Sequence, residues 1–299
     1  MNLRSLVAVL ASTFCVSVMA STQARVTIGY GPGGTDSIIR SMTLDAENVS
    51  KFQFLVINKP GANGSIAVRE YLKEPPSNLS MLGVSGGQIL FEALVNPENN
   101  FINSLKFVGP VLTSPLAIAV PADSDIKSLA DLFDRSKPRR RINIATGGES
   151  HQMLVNIIAQ HSHHDIQGVR FKGSSDAYAA LRGKHIEAHI DVYGYFSQYI
   201  PDVRILGVAQ KSPMKSAPSL HQYVPDATLV NFFAVAINRA QTDTGELEQA
   251  LRKGMTVERR RYWETRGYEI DDNIKADYVQ RVVIPTYVRW VKILEKSGK

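Results

Sequence analysis

Val26-Thr-Ile-Gly-Tyr-Gly-Pro-Gly-Gly-Thr-Asp36 decides the fold: a short apolar run meets a glycine turn and then opens a helical pattern. Glycines let a backbone approach a ligand closely, and the first amides of the following helix have no partner within it. Such a junction favours an anion. The pattern recurs at Ser80-Met-Leu-Gly-Val-Ser-Gly-Gly87 and at Ile142-Asn-Ile-Ala-Thr-Gly-Gly-Glu-Ser-His151, so three donor-rich turns are available to line one cleft.

Outward from these turns, the chain alternates β-rich runs with helical periodicity. Strands are expected near 26–29, 52–57, 80–84, 116–120, 141–145, 168–171, 187–192 and 203–208, and helices near 36–48, 64–72, 86–94, 150–161 and 174–183. Ser128-Leu-Ala-Asp131 has the form of a capping box and opens a further helix between the turn signals Pro121 and Pro138. This is α/β organisation. Two extended apolar runs, Ser114-Pro-Leu-Ala-Ile-Ala-Val120 and Thr228-Leu-Val-Asn-Phe-Phe-Ala-Val-Ala-Ile237, each separate one α/β block from the next and read as crossovers. A chain crossing there makes a discontinuous lobe I, residues 25–113 and 230–299, and a lobe II, residues 114–229. A cleft between lobes is a favoured place for a small ligand. Beyond 240 the pattern turns helical over Thr244–Lys253, Val257–Arg266 and Ala276–Ile293, with Pro285 expected to kink or split the last. Trp263 and Trp290 fall in these helical patterns and read as packing residues.

Residues 1–24 read as a cleaved signal peptide: Arg4 supplies a positive start, Leu6 to Val18 is mostly apolar, and a cut is expected after Ala20 or Ala24. The apolar run, interrupted by Ser12, Thr13 and Ser17, is short of the roughly 20 residues that span a bilayer. The mature chain is therefore expected in the periplasm, without its only cysteine, Cys15. A net charge of +6 is mildly basic. Its basic clusters, Arg135-Ser-Lys-Pro-Arg-Arg-Arg141 and Arg252-Lys253 with Arg259-Arg-Arg261, lie among Asp134, Glu258 and Glu264. They read as solvated surface rather than a nucleic-acid site, and can steer anionic solutes.

With these segments in hand, the chain resembles the extracytoplasmic solute receptors of the tripartite tricarboxylate transporter system, the Bug or TctC-like family. The matching segments are Gly31-Pro-Gly-Gly-Thr-Asp-Ser-Ile-Ile-Arg40, Val56-Ile-Asn-Lys-Pro-Gly-Ala-Asn-Gly64, Ala145-Thr-Gly-Gly-Glu-Ser-His151, Val169-Arg-Phe-Lys-Gly-Ser174 and Ile186-Glu-Ala-His-Ile-Asp191. The resemblance implies an α/β, two-lobed periplasmic-binding-protein fold of the type II-like, venus flytrap kind with two crossover strands. It implies a monomeric, non-enzymatic receptor that closes on a small organic carboxylate, a di- or tricarboxylate or related acid. Delivery would be to a membrane permease or a sensor kinase, with no cofactor and no metal. Backbone amides and small hydroxyls, rather than an arginine clamp, would hold the ligand.

Position by position, the resemblance carries over Tyr30, Gly33, Gly34, Thr35 and Asp36 as the first cradle. Thr146, Gly147, Gly148, Ser150 and His151, then Lys172, Gly173, Ser174 and Asp191, follow from the second lobe. Ser85 and Gly86 of the middle turn join them as ligand contacts. Asp36 either caps its own helix or accepts from a ligand amine or hydroxyl. Lys172 reads either as a contact or as a surface lysine.

Two departures concern the ligand. Pro75-Pro-Ser-Asn-Leu79 replaces the family's Asp-Gly-Tyr-type turn, and Glu149 brings a negative charge to an anion-favouring loop. His151, if protonated, or a cationic part of an amphoteric ligand would offset Glu149. Three patterns point elsewhere. Gly29-Tyr-Gly-Pro-Gly-Gly34 satisfies GxGxxG, but Asn58 stands where a ribose-binding acid is expected. Gly83-Val-Ser-Gly-Gly87 satisfies GxSxG, and Ser85, Asp191 and His221 fall in the chain order of an α/β-hydrolase triad, the alternative being a secreted esterase. His161-Ser-His-His-Asp165 reads as a polar helix end rather than a metal site.

Overall fold

The computed structural model describes residues 21–77, 79–91, 98, 101–215, 217–225 and 227–271, with the isolated positions 285, 288, 289, 292 and 295. The leader and its cysteine, most of the expected helix Ala276–Ile293, and Trp290 therefore lie outside the described residues. In chain order the elements begin β1 (Thr22–Ile28), α1 (Gly34–Glu47), β2 (Phe52–Asn58), α2 (Ser65–Lys73) and β3 (Ser80–Ser85). Next come β4 (Leu105–Pro121), α3 (Ala130–Phe133), β5 (Arg141–Thr146), α4 (Glu149–His161) and β6 (Asp165–Arg170). The remainder are α5 (Ser174–Arg182), β7 (Ala188–Val192), α6 (Tyr193–Ser197), β8 (Val203–Val208), β9 (Val230–Asn238), α7 (Gly245–Gly254), α8 (Val257–Thr265) and β10 (Glu269–Asp271).

One ten-stranded sheet carries them in the order β2-β1-β3-β9-β4-β7-β5-β6, with β8 and β10 both pairing β4. Its two ends are parallel, β2-β1-β3 on one side and β7-β5-β6 on the other. Helical crossovers cover the faces of such strands, and all six residues of β3 are buried. α1 buries Ile38, Ile39, Met42 and Ala46 on one stripe, as a helix must when it roofs a sheet. Gly254 of α7 lets the helices touch, since a Cβ there would lie 2.8 Å from the backbone nitrogen of Ala46.

The centre of the sheet is antiparallel, and β4 joins its halves. Leu105 to Pro115 pair with β9, whereas Leu116 to Ala119 pair with β7. The change of partner falls where Ser114 faces Asn231 in register, and the buried Ser114 hydroxyl donates to the Gly267 carbonyl at 3.1 Å.

β4 starts at Leu105, eleven residues before the expected strand at 116, and runs through Gly109-Pro110. The strand absorbs that pair as an irregularity between Val108 and Leu112, with Gly109 at φ +75°. Two further expectations need correction. The helix expected over 86–94 is, within the described residues, one π-helical turn, Gly87–Phe91. Only half of the expected capping box forms: the Asp131 carboxylate accepts from the amides of Lys127 (2.6 Å) and Ser128 (2.9 Å), and α3 is a single turn. β1 begins at Thr22, so a cut after Ala24 would remove three residues paired with Phe52, Gln53 and Phe54, whereas a cut after Ala20 leaves the strand whole. Among the described residues no helix is long and apolar enough to cross a membrane.

Candidate functional site

Three helices begin at one place, and each begins on a glycine. α1 follows Gly33, α4 follows Gly148 and α5 follows Gly173, and none of the three has a side-chain cap. Glycine leaves the first-turn amides uncovered, and the positive ends of three helix dipoles converge. These starts, with Ser85 at the end of β3 and Asn231 and Phe233 from β9, line a cavity of about 40 Å³. The two halves of the sheet meet closely around it. A Cβ on Gly33 would lie 3.1 Å from the Ser174 nitrogen, and one on Gly87 would lie 3.0 Å from the Ser150 hydroxyl.

Twelve of the sixteen residues expected at the site line this cavity: Tyr30, Gly33, Gly34, Thr35, Ser85, Gly147, Gly148, Ser150, His151, Gly173, Ser174 and Asp191. Four do not. Asp36 neither caps α1 nor enters the cavity; its carboxylate accepts from Asn58 Nδ2 at 2.7 Å and from Arg40 Nε at 2.9 Å. Asn58 also donates to the Tyr30 carbonyl at 2.8 Å, so Asp36 and Asn58 together brace the first glycine turn. Gly86 faces β9, where a Cβ would meet the Asn231 Oδ1 at 2.8 Å. Thr146 is fully buried at the end of β5. Lys172 belongs to a second space.

That second space is an outer chamber of about 660 Å³ that shares Tyr30 and Gly147 with the inner cavity and includes Arg170, Phe171 and Lys172. Asn63 closes its rim. Its Nδ2 donates to Glu149 Oε1 at 2.8 Å, its Oδ1 accepts from Arg170 Nη1 at 3.3 Å, and Arg170 forms an ion pair with Glu149. Glu149 is thus neutralised by Arg170, not by His151. The asparagine bridge ties the loop after β2 to α4 and β6 across the cleft.

His151 accepts the Gly147 amide at Nδ1 (3.1 Å), which puts its proton on Nε2 and removes one amide from those expected to serve a ligand. Burial holds His151 below the ordinary imidazole range, against the pull of Asp191. His189, fully buried behind Asp191, is pushed down by burial to about 4, again against Asp191. Both rings are neutral at pH 7. Burial likewise raises the phenols of Tyr195 and Tyr268, with the Asp191 charge adding to it.

The hydrolase triad is not assembled. Ser85 and Asp191 reach the cavity, but His221 sits in the turn Leu220–Gln222 and does not line it. The Ser85 hydroxyl instead accepts the Gln88 amide at 3.4 Å. His161, His163 and His164 each direct a ring nitrogen to a backbone carbonyl, of Ile157, Lys137 and Asp131 respectively. In the basic clusters Arg140 makes an exposed ion pair with Asp125, while Arg259 reaches in to the buried carboxylate of Asp45. Trp263 packs edge-on against Tyr262 and Tyr268. Residue-by-residue reading missed Gly31, Gly87, Asn231 and Phe233, which line the cavity. For Asn231 a signal existed, as the one polar side chain inside the apolar run Leu229–Ile237.

A family model described as tripartite tricarboxylate transporter family receptor matches residues 38–298. A UPF0065 protein of Bordetella bronchiseptica is 23% identical over 214 residues, 69% of this chain and 64% of that protein's length. Among solved structures, MatC of Rhodopseudomonas palustris with bound malate superposes at TM-score 0.80 with 14% identity, covering 91% of this chain and 99% of that one. A second R. palustris structure, with adipate, superposes at 0.76 with 17% identity, covering 93% and 98%. Two-lobed receptors of this kind share the fold described above.

Proposed function

Because the chain belongs to the tripartite tricarboxylate transporter receptor family, we propose that it is a periplasmic receptor that captures a small organic carboxylate between two lobes and releases it unchanged. The observation that carries this reading is the convergence of three glycine-started, uncapped helices on one small cavity. Uncapped amides offer charge-assisted hydrogen bonds to a carboxylate, and a closed, dry cleft strengthens each of them. Malate and adipate, bound to the two structural neighbours, are both carboxylates. Ser150, Ser174, Thr35 and the Nε2 proton of His151 add donors that water would otherwise supply.

In this reading lobe I comprises residues 25–113 and 230–299 and lobe II residues 114–229, which agrees with the change of partner along β4 at Pro115 and Leu116. The hinge is the Ser114–Asn231 crossing. The leader is cut after Ala20, the mature protein is a monomer, and the loaded receptor engages a membrane permease or a sensor kinase. No chemistry is performed on the solute, in keeping with the separation of Ser85 from His221.

A thermal-shift screen of the purified mature protein against carboxylic acids and their methyl esters tests the reading. Acids should raise the melting temperature and esters should not; equal shifts from both would remove the carboxylate from the argument. Small-angle scattering should then show a smaller radius of gyration with the best acid bound.

A further inference from the structure

Resting on the carboxylate reading, a second question is what stands next to the carboxylate, and Asp191 answers it. Asp191 is the penultimate residue of β7 and is 3% exposed, yet it lines the inner cavity. Its Oδ1 accepts the Val192 amide at 2.7 Å, while Oδ2 is buried and has no hydrogen-bond partner. His189 Nε2 lies 3.7 Å from Oδ2, beyond hydrogen-bonding distance, and that ring is neutral. No lysine or arginine lines the inner cavity, and the other acid there, Glu149, already has Arg170 and Asn63. A buried carboxylate oxygen without a donor is costly, and a cavity that otherwise attracts anions has no reason to keep one.

We propose that Asp191 receives a hydrogen-bond donor carried by the solute on the carbon beside its bound carboxylate, so that the receptor selects 2-amino or 2-hydroxy acids over the unsubstituted acids. The geometry gives the reach. A Cβ on Gly34, the first residue of α1, would lie 3.8 Å from Asp191 Oδ1. A carboxylate seated on the start of α1 therefore has its neighbouring carbon facing Asp191. An N–H or O–H there meets Oδ1, the oxygen on the side of α1, and gives the buried carboxylate a second donor from the cavity; a plain methylene leaves Asp191 with the Val192 amide alone. The small inner cavity holds the carboxylate and this substituent, and the rest of the solute extends into the outer chamber.

Calorimetric titration with matched triplets tests this: succinate, L-malate and L-aspartate; glutarate, 2-hydroxyglutarate and L-glutamate; 3-phenylpropionate, phenyllactate and L-phenylalanine. The substituted members of the triplet that fits should bind roughly 10- to 100-fold more tightly than the parent, the range of one charge-assisted hydrogen bond. Preference for the amino member identifies an ammonium, and for the hydroxy member a hydroxyl; either supports the inference. Asp191→Asn, with its fold checked by circular dichroism, should weaken the substituted members and bring the triplet together. If the parent acid binds as tightly as its substituted partners, or Asp191→Asn weakens all three alike, the inference fails while the carboxylate reading stands. Binding by none of the triplets, with acids and esters shifting the melting temperature alike, removes both.

Discussion

The inner cavity and the outer chamber meet at Tyr30 and Gly147 but are built on opposite principles. The inner one, about 40 Å³, is walled by glycines, small hydroxyls and helix starts and has no lysine or arginine. The outer one, about 660 Å³, is walled by Arg170, Phe171, Lys172 and the 60–64 loop. Backbone amides are fixed by the helices that carry them, so they recognise one group at one place. Long cationic side chains at a mouth instead attract and tolerate. On the proposed reading, the difference teaches that recognition of one chemical group belongs to the inner cavity and tolerance of the rest of the solute to the outer chamber.

The sharpest way to break that contrast is Gly34→Val. A branched side chain there fills the space between α1 and Asp191, and affinity for the best acid of the triplets should fall roughly 100-fold or more, with the melting temperature almost unchanged. Equal binding by this variant would mean that the inner cavity grips nothing. Ser174→Ala removes one hydroxyl facing Gly33 across the cleft and should cost about 1 kcal/mol, a fivefold loss by calorimetry.

In the outer chamber the effects should be smaller and kinetic. Asn63→Ala breaks the bridge to Glu149 and Arg170 without touching the inner cavity, so the dissociation rate measured by stopped flow should rise about two- to fivefold while the order of preference among acids is kept. A changed order would assign recognition to the chamber. On the far surface Arg140→Ala loses an exposed ion pair with Asp125 and should move stability by less than about 0.5 kcal/mol and binding not at all.

A pH series sharpens the comparison further. Burial lowers His189 to about 4, so between that value and the ordinary 6.5 the unfolded chain binds a proton that the folded one does not. Stability therefore falls as the pH drops through this window, by on the order of 3 kcal/mol, and is full above it. His151, also held down by burial, adds in the same direction. Melting temperatures of the protein and of His189→Phe between pH 7.5 and 4.5 check this; the variant's profile should be flatter.

Much of this was legible in the chain. The turns at Gly33 and Gly148 were visible because glycine after a strand and before a helix has few other uses, and both reach the cavity, as does Gly173, which only the family resemblance had brought in. Alternation of β and helical patterns marked most of the strands. Local signals failed where one residue type serves two purposes. The strand expected at 116 starts at Leu105 instead, and β4 carries Gly109-Pro110 as an irregularity in its pairing with β9. Asp36 reads as a cap or a ligand contact, but Asn58 and Arg40, distant in sequence or a helical turn away, claim its carboxylate first. Gly147 reads as a free donor until His151 folds back onto it.

The sequence by itself determined the α/β order and the glycine turns that open α1 and α4, because these depend on backbone conformation over a few neighbouring residues. Only the tertiary structure decided that Arg170 and Asn63 answer Glu149, that His221 stays away from Ser85, and that Asp191 faces the cavity with one oxygen unpaired. Charge compensation inside a closed cleft is a property of distances across the fold, where low dielectric makes a single missing partner matter, and no local pattern encodes those distances.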